Sequence, residues 1–279
     1  MESLSTRYGD WALVVWATSG IGRALVERIA ADGMNIVAVA RTQETLDRLA
    51  REVHSTHGVE VVTVSADLSA AEGVTTVIDA VGLREIGLLI PCAALESSGY
   101  FVNSSAEFEQ RMLQMNCVAP MLLAHHFGGS MAQRRRGAIL LVSSLSGWMS
   151  QPYMAGYGAS KAYILSLGES LHSEMKDVNV DVAVLSPGPT DTPMAAGTGI
   201  DFAKMGMTMM SPTDVAAAGL AALGRRANAI PGARNKVMAV SMTHLMPRSA
   251  VSAMFRRMLG KALDVASTVP QDLSTTARG

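Results

Sequence analysis

The chain has 279 residues, 49% of them hydrophobic and 17% charged, so it can bury a large core. A net charge of -1 excludes a global field that would attract nucleic acid or other polyanions. Cys92 and Cys117 are too few for a disulfide scaffold and sit in apolar segments, so buried free thiols and a cytoplasmic setting are expected.

Residues 11–16 read as a strand, and Ser19-Gly20-Ile21-Gly22 as a glycine turn into a helix that ends near Gly33. Ile21, Ala24, Leu25 and Ile29 share one face of it. Residues 35–40 are a short β-branched run, as in a buried parallel strand. Residues 42–54 form an amphipathic pattern, 59–65 a third strand followed by Asp67-Leu68, and 86–90 a fourth. The spacing predicts a helix over 105–131, with Pro120 kinking or stopping it and Asn116 solvated within it. Strands are predicted at 138–143 and 180–185, with a helix over 155–175 between them. Residues 190–210 are rich in Gly and Met without a period and read as a mobile lid. Ser211-Pro212-Thr213-Asp214 then opens another helix, with Ser as cap and Pro first.

From Val215 to Leu263 there is no acidic residue, while Arg225, Arg226, Arg234, Lys236, Arg248, Arg256, Arg257 and Lys261 all fall there. A solvated face, an oligomer contact and a helix resting on an anionic membrane surface all fit that pattern. Arg134-Arg135-Arg136 reads as a solvated loop. The start of the chain lacks the features of a signal peptide, and no run of about 18 apolar residues predicts a membrane span. The six histidines, His125 and His126 included, lack metal-ligand spacing, so no metal is expected.

This alternation of strand and helix predicts the α/β class: one Rossmann-type domain, a doubly wound parallel sheet with helices on both faces. The domain is expected over residues 1–225, with 226–279 a basic extension packed on or near it. Ligands of such sheets bind at the carboxyl ends of the strands, where the polar motifs fall.

Tyr157 and Lys161 stand four apart in a predicted helix, one turn from each other on one face. An ammonium near a phenol favours phenolate, and a phenol tuned toward neutrality exchanges protons with a carbonyl oxygen. Ser144, at a strand end, can polarise the same oxygen, with Ser143 as the alternative. The segment Pro187-Gly188-Pro189-Thr190-Asp191-Thr192 turns loop amides toward the strand ends. Trp148, Met149, Met154, Met194, Met205, Met207 and Met209 fall in segments expected around a pocket mouth, which favours a bulky apolar ligand.

In this order, Gly20-Ile21-Gly22, Asp67, Asn116, Ser144, Tyr157-Gly158-Ala159-Ser160-Lys161 and Pro187-Gly188 resemble the short-chain dehydrogenase/reductase family, over about residues 12–192. A weaker likeness around Ile230-Pro231-Gly232 is to the C-terminal extension of hydroxysteroid-dehydrogenase-like bacterial members. The resemblance implies that Tyr157 is the acid/base, that Ser144 holds the substrate oxygen, and that Asn116 supports a water relay. It implies that Lys161 lowers the tyrosine pKa and binds the nicotinamide ribose. The dinucleotide would lie against Ser19, Gly20, Ile21, Gly22, Pro187 and Gly188, with Asp67 and Leu68 at adenine and Thr192 at the carboxamide. Arg41 would meet a 2′-phosphate, and Ala40 lacks the carboxylate that accepts a ribose hydroxyl, so NADP is expected over NAD. A homodimer or homotetramer is implied as well.

Two departures fall on the cofactor side. Val15-Trp16 stand where the family has Thr-Gly, and Pro91-Cys92-Ala93-Ala94 where it has Asn-Asn-Ala-Gly. An NADP(H)-dependent oxidoreductase that interconverts an apolar ketone and a secondary alcohol is the first reading. An enzyme with weak or lost nucleotide binding that performs redox-neutral proton chemistry (lyase, isomerase or cyclase) is the second, and a non-catalytic binding protein the third.

Overall fold

The computed structural model describes residues 2–263. A short helix α1 (Leu4–Tyr8) precedes β1 (Trp11–Val15). Then come α2 (Gly20–Ala31), β2 (Asn35–Ala40), α3 (Gln43–His57), β3 (Val61–Ser65), α4 (Gly73–Val81) and β4 (Ile86–Pro91). The helix α5 (Ala106–Leu113) runs through a π-turn (Gln114–Val118) into α6 (Ala119–Arg134). Next are β5 (Gly137–Val142), α7 (Ala155–Glu174) and β6 (Val180–Leu185). The chain continues with α8 (Pro193–Gly197), α9 (Pro212–Ala222), β7 (Asn228–Ala229), α10 (Ala233–His244) and α11 (Arg248–Ala262).

The sheet is parallel throughout, in the order β3-β2-β1-β4-β5-β6-β7. Strand order reverses beside β1, which opens a crevice between β1 and β4 at their carboxyl ends. Side chains alternate along each strand, and both faces are buried. Ala12, Val14, Ile36, Ala38, Leu88 and Ile90 join one apolar layer beneath α2, α3 and α9. Leu13, Val15, Val37, Val39 and Leu89 join the other, beneath α4, α6 and α7. Each fully buried Leu, Ile or Val contributes about 1.5–3 kcal/mol, so continuous apolar strands here reflect burial on two sides. Leu25 and Ile29 of α2 are buried on the face that the periodicity indicates, with Ile21 and Ala24 packed beside them.

The helix expected over 105–131 is divided. Ala119 donates its N–H to the carbonyl of Gln114, five residues back, and Pro120 has no N–H to give to Asn116. The resulting π-turn rotates Asn116 inward, where it is 1% exposed rather than solvated. The lid segment carries local structure of its own. Thr190 and Met210 bridge in parallel, and the Thr192 hydroxyl caps α8 by accepting from Ala195 N–H at 3.2 Å. The sequence patterns above do not include the short α1, the two-residue β7 or α4, although Val74, Val77 and Val81 of α4 share one buried face.

From the basic segment, α11 buries Val251, Phe255, Leu259 and Ala262 in a third apolar cluster that includes Met112, Met154 and Tyr157. The rest of the expected extension, 264–279, lies outside the described residues. No described helix is long and apolar enough to cross a membrane, and the described residues hold no cluster suited to a metal ion.

Candidate active site

A cleft of about 530 Å³ opens at the carboxyl ends of the strands. Trp16 after β1, Cys92 after β4, Ser144 after β5 and Pro187 after β6 all line it. Helix α7 brings Tyr157 and Lys161 to the cleft. The Lys161 ammonium lies 5.7 Å from the centre of the Tyr157 ring, as their spacing on one helical face predicts.

The two serines separate clearly. Ser143 donates its hydroxyl to the Lys161 carbonyl at 2.7 Å and so ties β5 to α7. Ser144 accepts from Ser146 N–H at 3.1 Å, and its hydroxyl favours the charged form of the nearby Tyr157 phenol. Both serines line the cleft, but the Ser143 hydroxyl is committed to the Lys161 carbonyl, which leaves Ser144 as the one that acts on the tyrosine. Lys161 donates from Nζ to the Val142 carbonyl at 3.1 Å and is 2% exposed.

Burial controls the charges here. The Tyr157 phenol is held above its ordinary range by desolvation first and then by the nearby Glu96 carboxylate, with the Ser144 hydroxyl opposing. That is the reverse of the lowering expected from Lys161: removal from water and the Glu96 and Cys92 charges dominate, and the ammonium is not among the groups that shift the phenol. Lys161 itself is pulled below its ordinary value by burial, against the favourable field of Cys92, Cys117 and Glu96.

Asn116 stands behind this wall. Its Oδ1 accepts from Leu95 N–H at 2.7 Å, and its Nδ2 donates to the Leu95 carbonyl at 2.8 Å and to Ser160 Oγ at 3.0 Å. Ser160 in turn donates to the Tyr157 carbonyl at 2.7 Å. With both amide hydrogens committed, the side chain clamps the loop after β4 to the turn that carries Tyr157. This clamp holds a loop whose Pro91-Cys92-Ala93-Ala94 lacks the family's amide side chains.

On the opposite side lies the glycine turn, with Ser19, Gly20, Ile21 and Gly22 all on the cleft. A β-carbon on Gly22 would stand 2.1 Å from the Trp16 carbonyl oxygen, so only glycine lets α2 approach β1 this closely. Trp16 has φ of 61°, the left-handed conformation that its family glycine would adopt without strain, at a cost of about 1–2 kcal/mol. The turn thus survives the substitution. Ser19 makes no side-chain cap bond, so the first amides of α2 lack a side-chain acceptor. That donor set suits a pyrophosphate at a helix N-terminus, and the site fits a dinucleotide. Arg41 lies over the Trp16 ring, its Cζ 5.4 Å from the ring centre, and both line the cleft with Gly188 and Thr192.

Asp67 and Leu68 are not among the lining residues. Asp67 accepts from Ser69 N–H at 2.9 Å and Oγ at 2.7 Å, and Leu68 is buried in the core. Of the aromatic and methionine positions, Met149, Met154, Met194, Met205 and Met207 line the cleft, whereas Trp148 and Met209 do not. Two features escaped the sequence reading. Glu96 lines the cleft beside Tyr157, its carboxyl pushed up to about 7 by burial against the pull of Lys161. Phe255 and Leu259 of α11 close the cleft from the basic segment. Their spacing of four, continued back to Val251, was the available signal for the latter; Glu96 had none.

Residues 10–203 match the family model described as short chain dehydrogenase. The 7beta-hydroxysteroid dehydrogenase of Collinsella aerofaciens is 35% identical over 238 residues, covering 84% of this chain and 90% of that protein. A solved structure concerned with 7beta-hydroxysteroid dehydrogenase stereoselectivity superposes with a TM-score of 0.84 at 33% identity, covering 91% of this chain and 99% of the other. A short-chain dehydrogenase from Sphingobium yanoikuyae in complex with NADPH gives 0.74 at 28% identity, covering 96% and 99%. The parallel sheet, the glycine turn and these likenesses agree, and the chain belongs to the short-chain dehydrogenase/reductase family of oxidoreductases.

Proposed function

We propose that this protein is an NADP(H)-dependent oxidoreductase that interconverts a bulky apolar ketone, steroid-like in size and polarity, with its secondary alcohol. The observation that carries the reading is that Ser144, Tyr157 and Lys161 share the wall of an apolar cleft that also receives the glycine turn and Arg41. When bound, NADPH supplies the hydride. The chain's own groups handle the proton and the fit. Ser144 and Tyr157 donate to the carbonyl oxygen, and Tyr157 passes its proton to that oxygen as charge develops on it. A phenol held protonated by burial suits that direction. Lys161 keeps positive charge beside the oxygen pair, and Asn116 positions the loop and the Tyr157 turn. Met149, Met154, Phe255 and Leu259 exclude water from the reacting atoms.

Arg41 supports NADPH over NADH, since a guanidinium pairs with the 2′-phosphate that NADH lacks. The left-handed backbone of Trp16 supports the nucleotide-dependent reading over redox-neutral chemistry, because the turn keeps its shape. The hydroxysteroid relatives support the substrate class. The setting we infer is a cytoplasmic homodimer or homotetramer. Exposed Val237 and Leu245, among Arg234, Lys236 and Arg248, support a contact on α10 and α11 with another copy or an anionic lipid surface.

The test is NADPH consumption with a panel of ketosteroids and sugar ketones, repeated for Tyr157→Phe. The reading expects steroid turnover, with a loss of about 100-fold or more in the variant and unchanged NADPH binding. Turnover that survives the substitution would exclude Tyr157 as the acid.

A further inference from the structure

Trp16 occupies a backbone conformation that glycine takes freely, so the indole is there despite the geometry of the turn. We infer that Trp16 is a positioning residue whose indole holds the Arg41 guanidinium at the place of the adenosine 2′-phosphate, and thereby sets the preference for NADPH over NADH. This rests on the proposed nucleotide dependence and adds a residue to it that the family pattern does not contain.

Four observations converge. First, β1 and β2 pair in parallel with Val15 opposite Val39, and Ala17 N–H donates to the Val39 carbonyl at 3.1 Å. Trp16 and Arg41 therefore leave neighbouring strand ends side by side. Second, the guanidinium carbon lies 5.4 Å from the centre of the indole ring, within the range of cation–π attraction. Third, Arg41 is in no ion pair among the described residues, and Asp67 acts on it only through its longer-range field. Its charge is thus available to an anion. Fourth, Trp16 and Arg41 both line the cleft beside Ser19 and Gly20, at the start of α2.

The physical effect is preorganisation. A free arginine loses rotamer freedom when it captures a phosphate. A flat aromatic face restricts the guanidinium beforehand and leaves its N–H edge free for oxygen. The half-buried Trp16 also packs against the apolar layer that includes Val15 and Val39, so the platform itself is anchored.

The test is calorimetric titration of the full chain with NADPH and with NADH, for the wild type and for Trp16→Gly, Trp16→Leu, Trp16→Phe and Arg41→Ala. The wild type should prefer NADPH, and Arg41→Ala should weaken NADPH by about ten- to a hundred-fold with NADH unchanged. Trp16→Gly and Trp16→Leu should each weaken NADPH by about two- to five-fold, again with NADH unchanged, and Trp16→Phe should restore most of the loss. A general structural defect would weaken both nucleotides together and would overturn the inference. So would an unchanged NADPH/NADH ratio in the Gly and Leu variants, or tighter binding of both nucleotides, which would make the indole an obstruction. The Leu and Phe variants carry the test if the Gly variant does not fold. A wild type that binds neither nucleotide, or prefers neither, fails at the first titration and removes the proposed NADPH dependence along with this inference.

Discussion

Replacing Glu96 by Gln should stabilise the protein at alkaline pH and leave it nearly unchanged in mild acid. The carboxyl is pushed from its ordinary 4.5 to about 7, with burial the larger cause and Lys161 opposing. Between those values the folded chain keeps a proton that the unfolded chain has released. The wild type therefore loses stability as pH rises from about 4.5 to about 7, and the penalty stays in full above that window. At about 1.4 kcal/mol per unit the shift corresponds to about 3 kcal/mol, and partial exposure reduces this to about 1–2 kcal/mol. Glutamine has the same shape and never ionises, so it carries no such penalty. Urea denaturation of both proteins at pH 5 and pH 8, at one ionic strength, measures the difference. The variant should gain on the wild type by about 1–2 kcal/mol between the two conditions. An equal gap at both pH values would refute the reasoning, because it would mean that Glu96 titrates alike in the folded and unfolded chains.

Removing the Asn116 side chain with Asn116→Ala deletes three hydrogen bonds and leaves buried partners unmet, so urea denaturation should show a loss of about 3–4 kcal/mol. Gly22→Ala forces a β-carbon against the Trp16 carbonyl, and calorimetry should show loss of nucleotide binding together with a fall in melting temperature. Because the Tyr157 phenol is held above its ordinary value, alcohol oxidation should keep rising with pH beyond about 10, while ketone reduction changes between about 6 and 8 only as far as the ionisation of Glu96 alters the field at the phenol. Steady-state rates in both directions across that range check the sign. Phe255→Ala opens the cleft from α11 and should raise KM for steroid-sized ketones while costing about 3–5 kcal/mol of stability.

Much of this molecule is decided within short stretches of chain. Buried parallel strands announce themselves as continuous β-branched runs, because both faces of each strand are covered. Tyr157 and Lys161 meet because four residues make about one helical turn, and Ser144 lies at a strand end where such sheets place their ligands. Other features depend on what distant segments put nearby. A single π-turn rotated Asn116 from the solvent side to the interior, and nothing around it in sequence except Pro120 marked the change. Where the indole of a tryptophan in place of glycine goes depends on its neighbours across the sheet, and the fold sets it beside Arg41, just after the neighbouring strand, on the cleft wall. The protonation of Tyr157 and of Glu96 follows from burial, which is the sum of packing by α7, α11 and the loop after β4. Local spacing decides which side chains share a helical face or a strand end, since it needs only the backbone period. Desolvation and inter-strand neighbours arise from contacts far apart in the chain, and only the assembled fold supplies them.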